Sequence, residues 1–285
     1  MANIKLVTDG AADIPYEIAY ELGIEIVPLL IRIDEQNYRV GLDVGHDTIH
    51  EMLQNGHRHR IRTLSPPSTV FEQTYRRLAM EYDYIFSLQH SSRLSETYRE
   101  AKQACARLPA SLTRVEVIDS RSASMGMGKV VIEAARAARD GATPDEVQHL
   151  INSMLRHTHA VFFVDNLEYL EQSGLLSLGA SVLGSMQRIK PLLLLDDGDI
   201  VPYERTRTRA KAIEGLFTFV EDFPQVQDVI VLYSTTPDDV EKLLEKVELI
   251  FPRERVQVVQ FGGNSALHLG PGSMGVVVFE GLNAG

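Results

Sequence analysis

The sequence predicts an α/β protein with two α/β domains, whose mainly parallel sheets are flanked by helices. Short apolar runs of strand length alternate with helical patterns, which is typical of strands buried between two layers of helices. Turns rich in hydroxyl groups and glycine separate strands from the helices that follow them. The length of 285 residues fits two domains at roughly 150 residues each.

The first half of the chain alternates regularly between the two patterns. The predicted strands are Ile4–Thr8, Ile24–Ile31, Tyr84–Leu88 and Val115–Ile118, and the predicted helices are Pro15–Leu22, Asp47–Gln54, Thr69–Glu81, Ser95–Leu108 and Lys129–Arg139. Thr143-Pro144-Asp145-Glu146 then predicts a further helix start, with a capping threonine, a proline at the first position and acids in the first turn.

The second half has a different pattern. The predicted strands are Val161–Val164, Pro191–Leu195, Ile200–Arg205, Val229–Tyr233, Val256–Phe261 and Val276–Glu280, and the predicted helices are Asn166–Gln172 and Pro237–Leu249. Asp196-Asp197-Gly198-Asp199 is typical of a hairpin turn, and Thr236 is the expected cap of the helix after it. We expect an N-terminal domain over residues 1–160, which carries the anion-binding turns, and a C-terminal domain over 161–285. One domain could include segments from both halves.

Composition and charge exclude several classes of protein. The formal net charge is -11, which argues against a nucleic-acid binder. The single cysteine, Cys105, can form neither an internal disulfide nor a cysteine metal site. No signal-peptide pattern opens the sequence, and no apolar run reaches the ~20 residues that cross a bilayer. We therefore expect a cytoplasmic protein with no integral membrane segment.

Three turns rich in hydroxyl groups stand out. Asp119–Gly126 and His90–Ser95 each follow a predicted strand, and Thr63–Ser68 precedes a predicted helix. Backbone N–H groups and the positive end of a helix dipole both favour anions at such turns. The three turns therefore suggest a shared site for a carboxylate or a phosphate. The alternative is that these serines and threonines only cap helices.

Other candidate sites are weaker. His57-Arg58-His59-Arg60 lacks acidic or cysteine partners for a metal, so a solvated basic loop is expected and no metal site is predicted. A hydrolase that uses Ser92 or Ser124 lacks a histidine and an acid at recognisable spacing. No Gly-x-x-x-x-Gly-Lys-Ser/Thr loop is present to hold ATP.

The sequence resembles the DegV family of bacterial fatty-acid-binding proteins along nearly its whole length. The resemblance rests on the order and spacing of several stretches. They are Val7-Thr8-Asp9, Ser91-Ser92-Arg93-Leu94-Ser95 with Thr97-Tyr98, Asp119 to Gly126, Asp165-Asn166-Leu167-Glu168-Tyr169-Leu170, Ile189-Lys190-Pro191 and His268-Leu269-Gly270-Pro271-Gly272.

The resemblance implies a two-domain fold that encloses a long-chain fatty acid, such as palmitate, stearate or oleate, in an apolar tunnel between or within the domains. No other cofactor is implied. Some members of the family present the bound acid to a separate ATP-binding kinase subunit, which makes an acyl phosphate. Binding alone and presentation to a fatty acid kinase, with a role in phospholipid metabolism, therefore both follow as expectations.

The resemblance also implies the site residues. Thr63, Ser91 and Ser92 match the hydroxyl groups that hold the carboxylate, and His268 and Arg205 match residues near its exposed end. No catalysis is expected from this chain alone, whereas His268 and Arg205 are catalytic candidates beside a kinase partner. Asp119 and Arg121 are expected to brace their turn.

Two positions depart from the family pattern. Gly10 replaces a serine that follows Thr-Asp in many relatives, which removes one hydroxyl group. Leu175 stands where relatives often carry the arginine of a glycine-glycine-arginine sequence, close to the region of phosphate transfer. A leucine there is compatible with burial of an acyl chain but puts transfer to a kinase in doubt.

Overall fold

The computed structural model describes residues 2–56, 61–109, 111–175 and 189–281. The chain divides into two compact units: the first contains Met1–Val44 and Arg62–Arg156, and the second contains Gly45–Ile61 and His157–Gly285. The second unit thus includes a short segment from the N-terminal half of the chain. The functional domain boundary near residue 160 stays a prediction.

Strands and helices alternate through the first 156 residues. They are β1 (Ile4–Asp9), α1 (Tyr16–Glu21), β2 (Glu25–Val27), β3 (Leu30–Ile33), β4 (Gln36–Arg39), α2 (His46–Gln54), β5 (Ile61–Leu64), α3 (Ser68–Leu78), β6 (Tyr84–Gln89), α4 (Thr97–Ala106), β7 (Arg114–Asp119), α5 (Ser124–Arg139) and α6 (Pro144–Arg156).

The remaining elements all belong to the second unit. They are β8 (Thr158–Phe163), α7 (Glu168–Gln172), β9 (Lys190–Asp196), β10 (Asp199–Thr206), α8 (Arg209–Glu221), β11 (Val226–Tyr233), α9 (Pro237–Val247), β12 (Gln257–Gln260), α10 (Gly263–Leu269) and β13 (Met274–Glu280). Helices α8 and α10 were not predicted. No helix in the described ranges is long and apolar enough to cross a membrane.

The main sheet of the first unit confirms the predicted parallel arrangement. Its strand order is β2-β1-β6-β7, and each adjacent pair is parallel. Phe71 and Tyr75 of α3 and Ala101 of α4 pack on the strands through Val7 and Ile85 in one buried cluster. All six residues of β6 are buried, as expected for a central strand covered on both faces.

A small second sheet, in the order β4-β3-β5, shows that one predicted strand was wrong. The single strand predicted at Ile24–Ile31 is divided into β2 and β3 at Pro28, because proline has no N–H to donate to a sheet. Strands β3 and β4 then form an antiparallel hairpin, with Asp34 in the left-handed region at φ 54°.

The sheet of the second unit corrects the expectation of parallel strands there. Its six strands lie in the order β10-β9-β8-β13-β11-β12. Only the β11–β12 pair is parallel; the other four adjacent pairs are antiparallel. The hairpin predicted at Asp196–Asp199 is confirmed as the turn between β9 and β10. A buried apolar run is compatible with a parallel or an antiparallel strand, so the apolar pattern alone did not predict the direction of these strands.

Two predicted helix starts have different outcomes. At α6, the Thr143 side chain and its N–H donate to Glu146, and the Glu146 N–H donates back to Thr143 Oγ1 at 3.3 Å, as in a capping box. At α9, Thr236 occupies the cap position but its side chain makes no cap hydrogen bond. Its Oγ1 instead accepts from Arg209 at 2.7 Å. The predicted N-cap position of Thr236 is therefore confirmed, but the side-chain cap hydrogen bond is not made.

Helix α2 fixes the position of α10 within the second unit. The Gly263 N–H, which begins α10, donates to His46 Nδ1 at 2.8 Å. His50 Nε2 donates to the Phe261 carbonyl, also at 2.8 Å. A side chain on Gly263 would place its Cβ 2.5 Å from Ile49 Cδ1, so glycine permits this close approach. The segment from the N-terminal half is therefore bound tightly to the helix that carries His268.

Candidate functional site

Two of the predicted hydroxyl turns lie at the carboxyl end of the parallel sheet. Strand β6 runs into His90–Ser95, and β7 runs into Asp119–Gly126. Strands β1 and β6 are neighbours at the centre, and the chain continues from β1 to the edge strand β2 on one side and from β6 to β7 on the other. In open parallel sheets, ligands bind at the carboxyl ends of strands where the connections diverge in this way.

Hydrogen bonds join these two turns directly. The Ser91 N–H donates to the Ser122 carbonyl at 3.0 Å. Ser92 donates twice to Asp119: its N–H to Oδ1 at 3.1 Å and its hydroxyl to Oδ2 at 2.5 Å. The Arg121 N–H also donates to Asp119 Oδ1, at 3.0 Å. Asp119 therefore braces both turns, which supports the structural role expected for it.

The turn Thr63–Ser68 is joined to the turn His90–Ser95 by a triangle of hydroxyl groups. Ser65 Oγ lies 3.2 Å from Ser95 Oγ and 3.2 Å from Thr97 Oγ1, and the latter two oxygens are 2.7 Å apart. The Ser68 N–H donates to Glu100 of α4 at 2.9 Å. Half-buried Thr63 lies on β5, which leads into this turn. The first unit thus brings together the turns that carry Thr63, Ser91 and Ser92, as the sequence suggested.

Asp9 is the most deeply buried ionisable group at this edge, and its role was not predicted. It is 0% exposed, and its oxygens accept from the Ala11 and His90 N–H groups, both at 2.8 Å. Burial raises the pKa of Asp9 to about 6, against the lowering effect of these two hydrogen bonds. Asp9 therefore ties the turn after β1 to the turn that carries the serine pair.

His90 is a neutral neighbour of that carboxylate. Burial lowers the pKa of His90 to about 4, although the nearby charge of Asp119 acts in the opposite direction. At pH 7 this side chain contributes no positive charge to the turns. The apolar run of β6 and the Asp9 at the end of β1 were both visible in the sequence, but their contact spans 81 residues.

The other predicted site residues lie in the second unit. His268 is in the last turn of α10 and is half-buried. Arg205 lies on the edge strand β10, pairs in register with Pro191 of β9, and is exposed. Leu175 follows α7 and is half-buried, and its N–H donates to the Leu170 carbonyl at 3.1 Å. The histidine–arginine segment 57–60 lies outside the described residues.

Arg209 is the centre of a cluster in this unit. It donates to Asp239, to Asp165 Oδ1 at 3.0 Å, to the Gly272 carbonyl at 2.7 Å and to Thr236. Its guanidinium also lies 5.1 Å from the centre of the Phe163 ring. We call this set, with Lys190 and Lys242 on the two carboxylates, the Arg209 cluster.

The cluster holds together two of the sequence stretches that carry the family resemblance. Gly272 has φ +85°, and a Cβ there would lie 2.4 Å from Asp165 Oδ2. Gly270 has φ +83°, and its Cβ would lie 2.6 Å from the Tyr169 ring. Both glycines are therefore required by conformation and by space. The loop after His268 packs directly on the stretch that begins at Asp165.

The chemistry available at these turns is that of hydrogen bonding. No group of three or more potential metal ligands occurs in the described part of the chain. The Ser92 hydroxyl donates to Asp119, and the Ser124 hydroxyl donates to Asp13 at 2.6 Å. Neither proton goes to a histidine, so the geometry does not favour a hydrolase. The turns instead suit a small polar head group at the end of a sheet.

The fold and the site define a class of protein. Its members are α/β proteins with hydroxyl turns at the end of a parallel sheet and a second unit whose sheet is mainly antiparallel. The family model described as "Uncharacterised protein, DegV family" matches residues 3–281. The chain therefore belongs to the DegV family, and the resemblance seen in the sequence is confirmed.

Relatives match over almost their full length. A DegV domain-containing protein of Caldanaerobacter subterraneus subsp. tengcongensis is 30% identical, over 98% of this chain and 100% of the relative. The solved structure described as "Fatty Acid Binding of a DegV family Protein from Thermus thermophilus" is 28% identical with a TM-score of 0.86, over 98% of this chain and 100% of that one. "DegV, a fatty acid binding protein from Bacillus subtilis" is 27% identical with a TM-score of 0.86, over the same shares.

Proposed function

We propose that this protein binds a long-chain fatty acid such as palmitate, stearate or oleate. The observation that supports the proposal is the hydrogen-bonded set of turns in the first unit. Ser91 and Ser92 lie on one of these turns, and Thr63 lies on β5, the strand that leads into another. Two relatives of the same fold, at 28% and 27% identity, are described as fatty-acid-binding proteins. Their likeness supports the same ligand class here.

In this proposal the acyl chain supplies most of the affinity and the hydroxyl groups fix the head group. A tail of about 16–18 carbons gains roughly 0.8 kcal/mol for each methylene removed from water. A buried polar head group must be hydrogen-bonded, since leaving it unpaired costs several times that amount. Thr63, Ser91 and Ser92 serve the carboxyl group, and His268 and Arg205 serve its exposed end. We propose no small-molecule ligand other than the fatty acid. We propose the cytoplasm as the compartment of the protein.

Mass spectrometry of the purified protein tests the ligand class directly. Native spectra should show a mass increment that disappears on denaturation, and the released molecule should be a fatty acid. A protein that is empty and also fails to take up added palmitate or oleate would refute the proposal.

A substitution at Thr63 tests the head-group site. Thr63→Val keeps the shape and removes the hydroxyl, so palmitate affinity should fall by about tenfold or more, as expected for one hydrogen bond to a charged or strongly polar group. Thr113→Val is the matched control, because Thr113 donates to the Tyr82 carbonyl at 3.0 Å near the start of β7. Equal affinities for the two variants would remove Thr63 from the site.

A second candidate function is presentation of the bound acid to a separate ATP-dependent fatty acid kinase subunit. His268 and Arg205, at positions that match the family, favour it, and Leu175 in place of the arginine opposes it. With a kinase subunit and ATP, acyl phosphate should form with the natural chain and fall strongly with His268→Ala. Turnover that His268→Ala leaves unchanged would remove the catalytic role of this residue.

A further inference from the structure

The proton of the Ser92 hydroxyl is already used. Ser92 Oγ donates to Asp119 Oδ2 at 2.5 Å, and a hydroxyl group has one proton to give. Ser92 is exposed, so its oxygen can still meet a ligand. Toward that ligand it offers lone pairs only, and it can accept a hydrogen bond but not donate one.

Asp119 is fixed as the acceptor by the surrounding backbone. Its Oδ1 accepts from the Ser92 and Arg121 N–H groups at 3.1 and 3.0 Å. A carboxylate that receives every one of these contacts acts as an acceptor only. The hydroxyl of Ser92 cannot turn to a ligand without giving up the shortest of the three contacts. The direction of the Ser92–Asp119 hydrogen bond is therefore set by the fold of the two turns.

An ionised fatty acid does not suit this arrangement. Its carboxylate has no proton, so the lone pairs of its oxygens would face the lone pairs of Ser92 Oγ. The negative charge of Asp119, on the other side of the Ser92 hydroxyl, would also repel it. A protonated carboxyl group can donate its O–H to Ser92 Oγ and meets no like charge. We propose that the site takes up the fatty acid together with a proton, and that Asp119 imposes this by making Ser92 an acceptor. This inference rests on the proposed fatty-acid binding.

The proton comes from solvent. The carboxylate of the free acid gains one H⁺ and becomes a carboxylic acid on binding, while Ser92 keeps its proton and Asp119 keeps its charge. Free carboxyl groups ionise with a pKa near 4, so at pH 7 almost every bound molecule would have taken up a proton. Proton linkage then makes the dissociation constant rise about tenfold for each unit of pH.

Within the first unit, the groups on and beside these turns supply no buried counter-charge. His90 is buried beside Asp119 and neutral at pH 7, since burial lowers its pKa to about 4. The cations on the two turns, Arg93 and Arg121, are exposed to solvent, where charges are screened. On α5, Lys129 is paired with Glu133 at 3.0 Å. The remaining titratable groups on these turns and on the end of β1 are the acids Asp9, Asp13 and Glu96.

Calorimetry of the natural chain gives the first test. Palmitate and 1-hexadecanol, each carried on the same cyclodextrin, are titrated at pH 7.5 in buffers of different ionisation enthalpy. Palmitate should bind with uptake of close to one proton and hexadecanol with none. Palmitate binding without proton uptake would overturn the inference. Failure of both ligands to bind would instead overturn the proposed function.

Asp119→Asn gives the second test. The asparagine keeps a carbonyl acceptor but removes the charge, so palmitate affinity should lose most of its dependence on pH between 6 and 8 and become at least tenfold tighter at pH 8. The control is Asp83→Asn, whose carboxylate accepts from the Asn3 N–H at 2.9 Å just before β6, at the end of that strand opposite to the turns. A folded Asp119→Asn protein with the natural pH slope would contradict the role of Asp119. Should that variant not fold, the calorimetric result decides alone.

Discussion

In the first unit, the turns at the end of the parallel sheet are held by hydroxyl groups, backbone amides, the buried Asp9 and the half-buried Asp119. In the second unit, one guanidinium joins several loops. Ser65, Ser95 and Thr97 are hydrogen-bonded to one another in their triangle. Asp119 accepts from the Ser92 hydroxyl and from the Ser92 and Arg121 N–H groups. Arg209, by contrast, binds two carboxylates, a hydroxyl and a carbonyl at once.

The two units differ in the hydrogen-bonding capacity that their contacts leave available for a ligand. A hydroxyl can donate and accept, so a network of hydroxyl groups can change its pattern when a ligand arrives. An arginine can only donate, in a planar fork of fixed geometry. The first unit therefore has the contacts expected of a binding surface, and the Arg209 cluster has those expected of a rigid support for the loop after His268.

The largest effect should come from breaking the Arg209 cluster. Arg209→Met removes the cation that Asp165 and Asp239 share and leaves each carboxylate with one lysine; the Asp239 side chain is only 10% exposed. We expect a loss of about 3 kcal/mol in the free energy of unfolding, since a mostly buried carboxylate loses its guanidinium partner and the Gly272 carbonyl and Thr236 hydroxyl lose their donor.

Urea denaturation with the exposed Arg207→Met as the matched control measures this loss. Equal stabilities of the two variants would show that the cluster does not support the second unit.

A smaller effect should come from the two buried ionisable groups at the end of the first sheet. The pKa of Asp9 is raised from 3.8 to about 6, so the folded protein holds its proton more tightly and stability falls as pH rises from about 4 to 6. The pKa of His90 is lowered from 6.5 to about 4, so its contribution to stability falls as pH falls through the same range. The two effects oppose each other.

His90→Asn should expose the contribution of Asp9 alone. The variant should gain roughly 1 to 2 kcal/mol relative to the natural protein when pH falls from about 5.5 to 4.5, following about 1.4 kcal/mol for each unit of pKa shift. Denaturation midpoints at several pH values measure the difference. A constant difference between the two proteins across this range would contradict the linkage.

The smallest effect should come from the contact of α2 with α10. His46→Ala removes the acceptor of the Gly263 N–H, which should cost about 1 kcal/mol. Burial lowers the pKa of His46, so this contribution is present above about pH 6.5 and is lost as pH falls, when Nδ1 takes a proton. The exposed His149→Ala is the control. A larger loss at low pH than at high pH would contradict the hydrogen bond.

The sequence predicted the parallel sheet, the hairpin of β9 and β10 and the three hydroxyl turns because each depends on local pattern. It did not predict the antiparallel order in the second unit, since buried runs such as Val276–Glu280 fit either direction. The contact of the Thr236 side chain was missed because its partner Arg209 lies 27 residues away. The role of Asp9 was missed for a similar reason. Its raised pKa comes from burial, and its contact with the His90 N–H spans 81 residues, so no local motif indicates either.

The short segment Gly45–Ile61, which belongs to the second unit, has a consequence for synthesis on the ribosome. Its helix α2 emerges early, but its partners Phe261 and Gly263 lie 211 and 217 residues further on. Until they are made, His50 and Ile49 have no binding surface, although both are among the buried residues of the finished protein. We therefore expect a nascent chain that ends after α6 to be bound by chaperones through α2, and release to follow only when α10 has been translated.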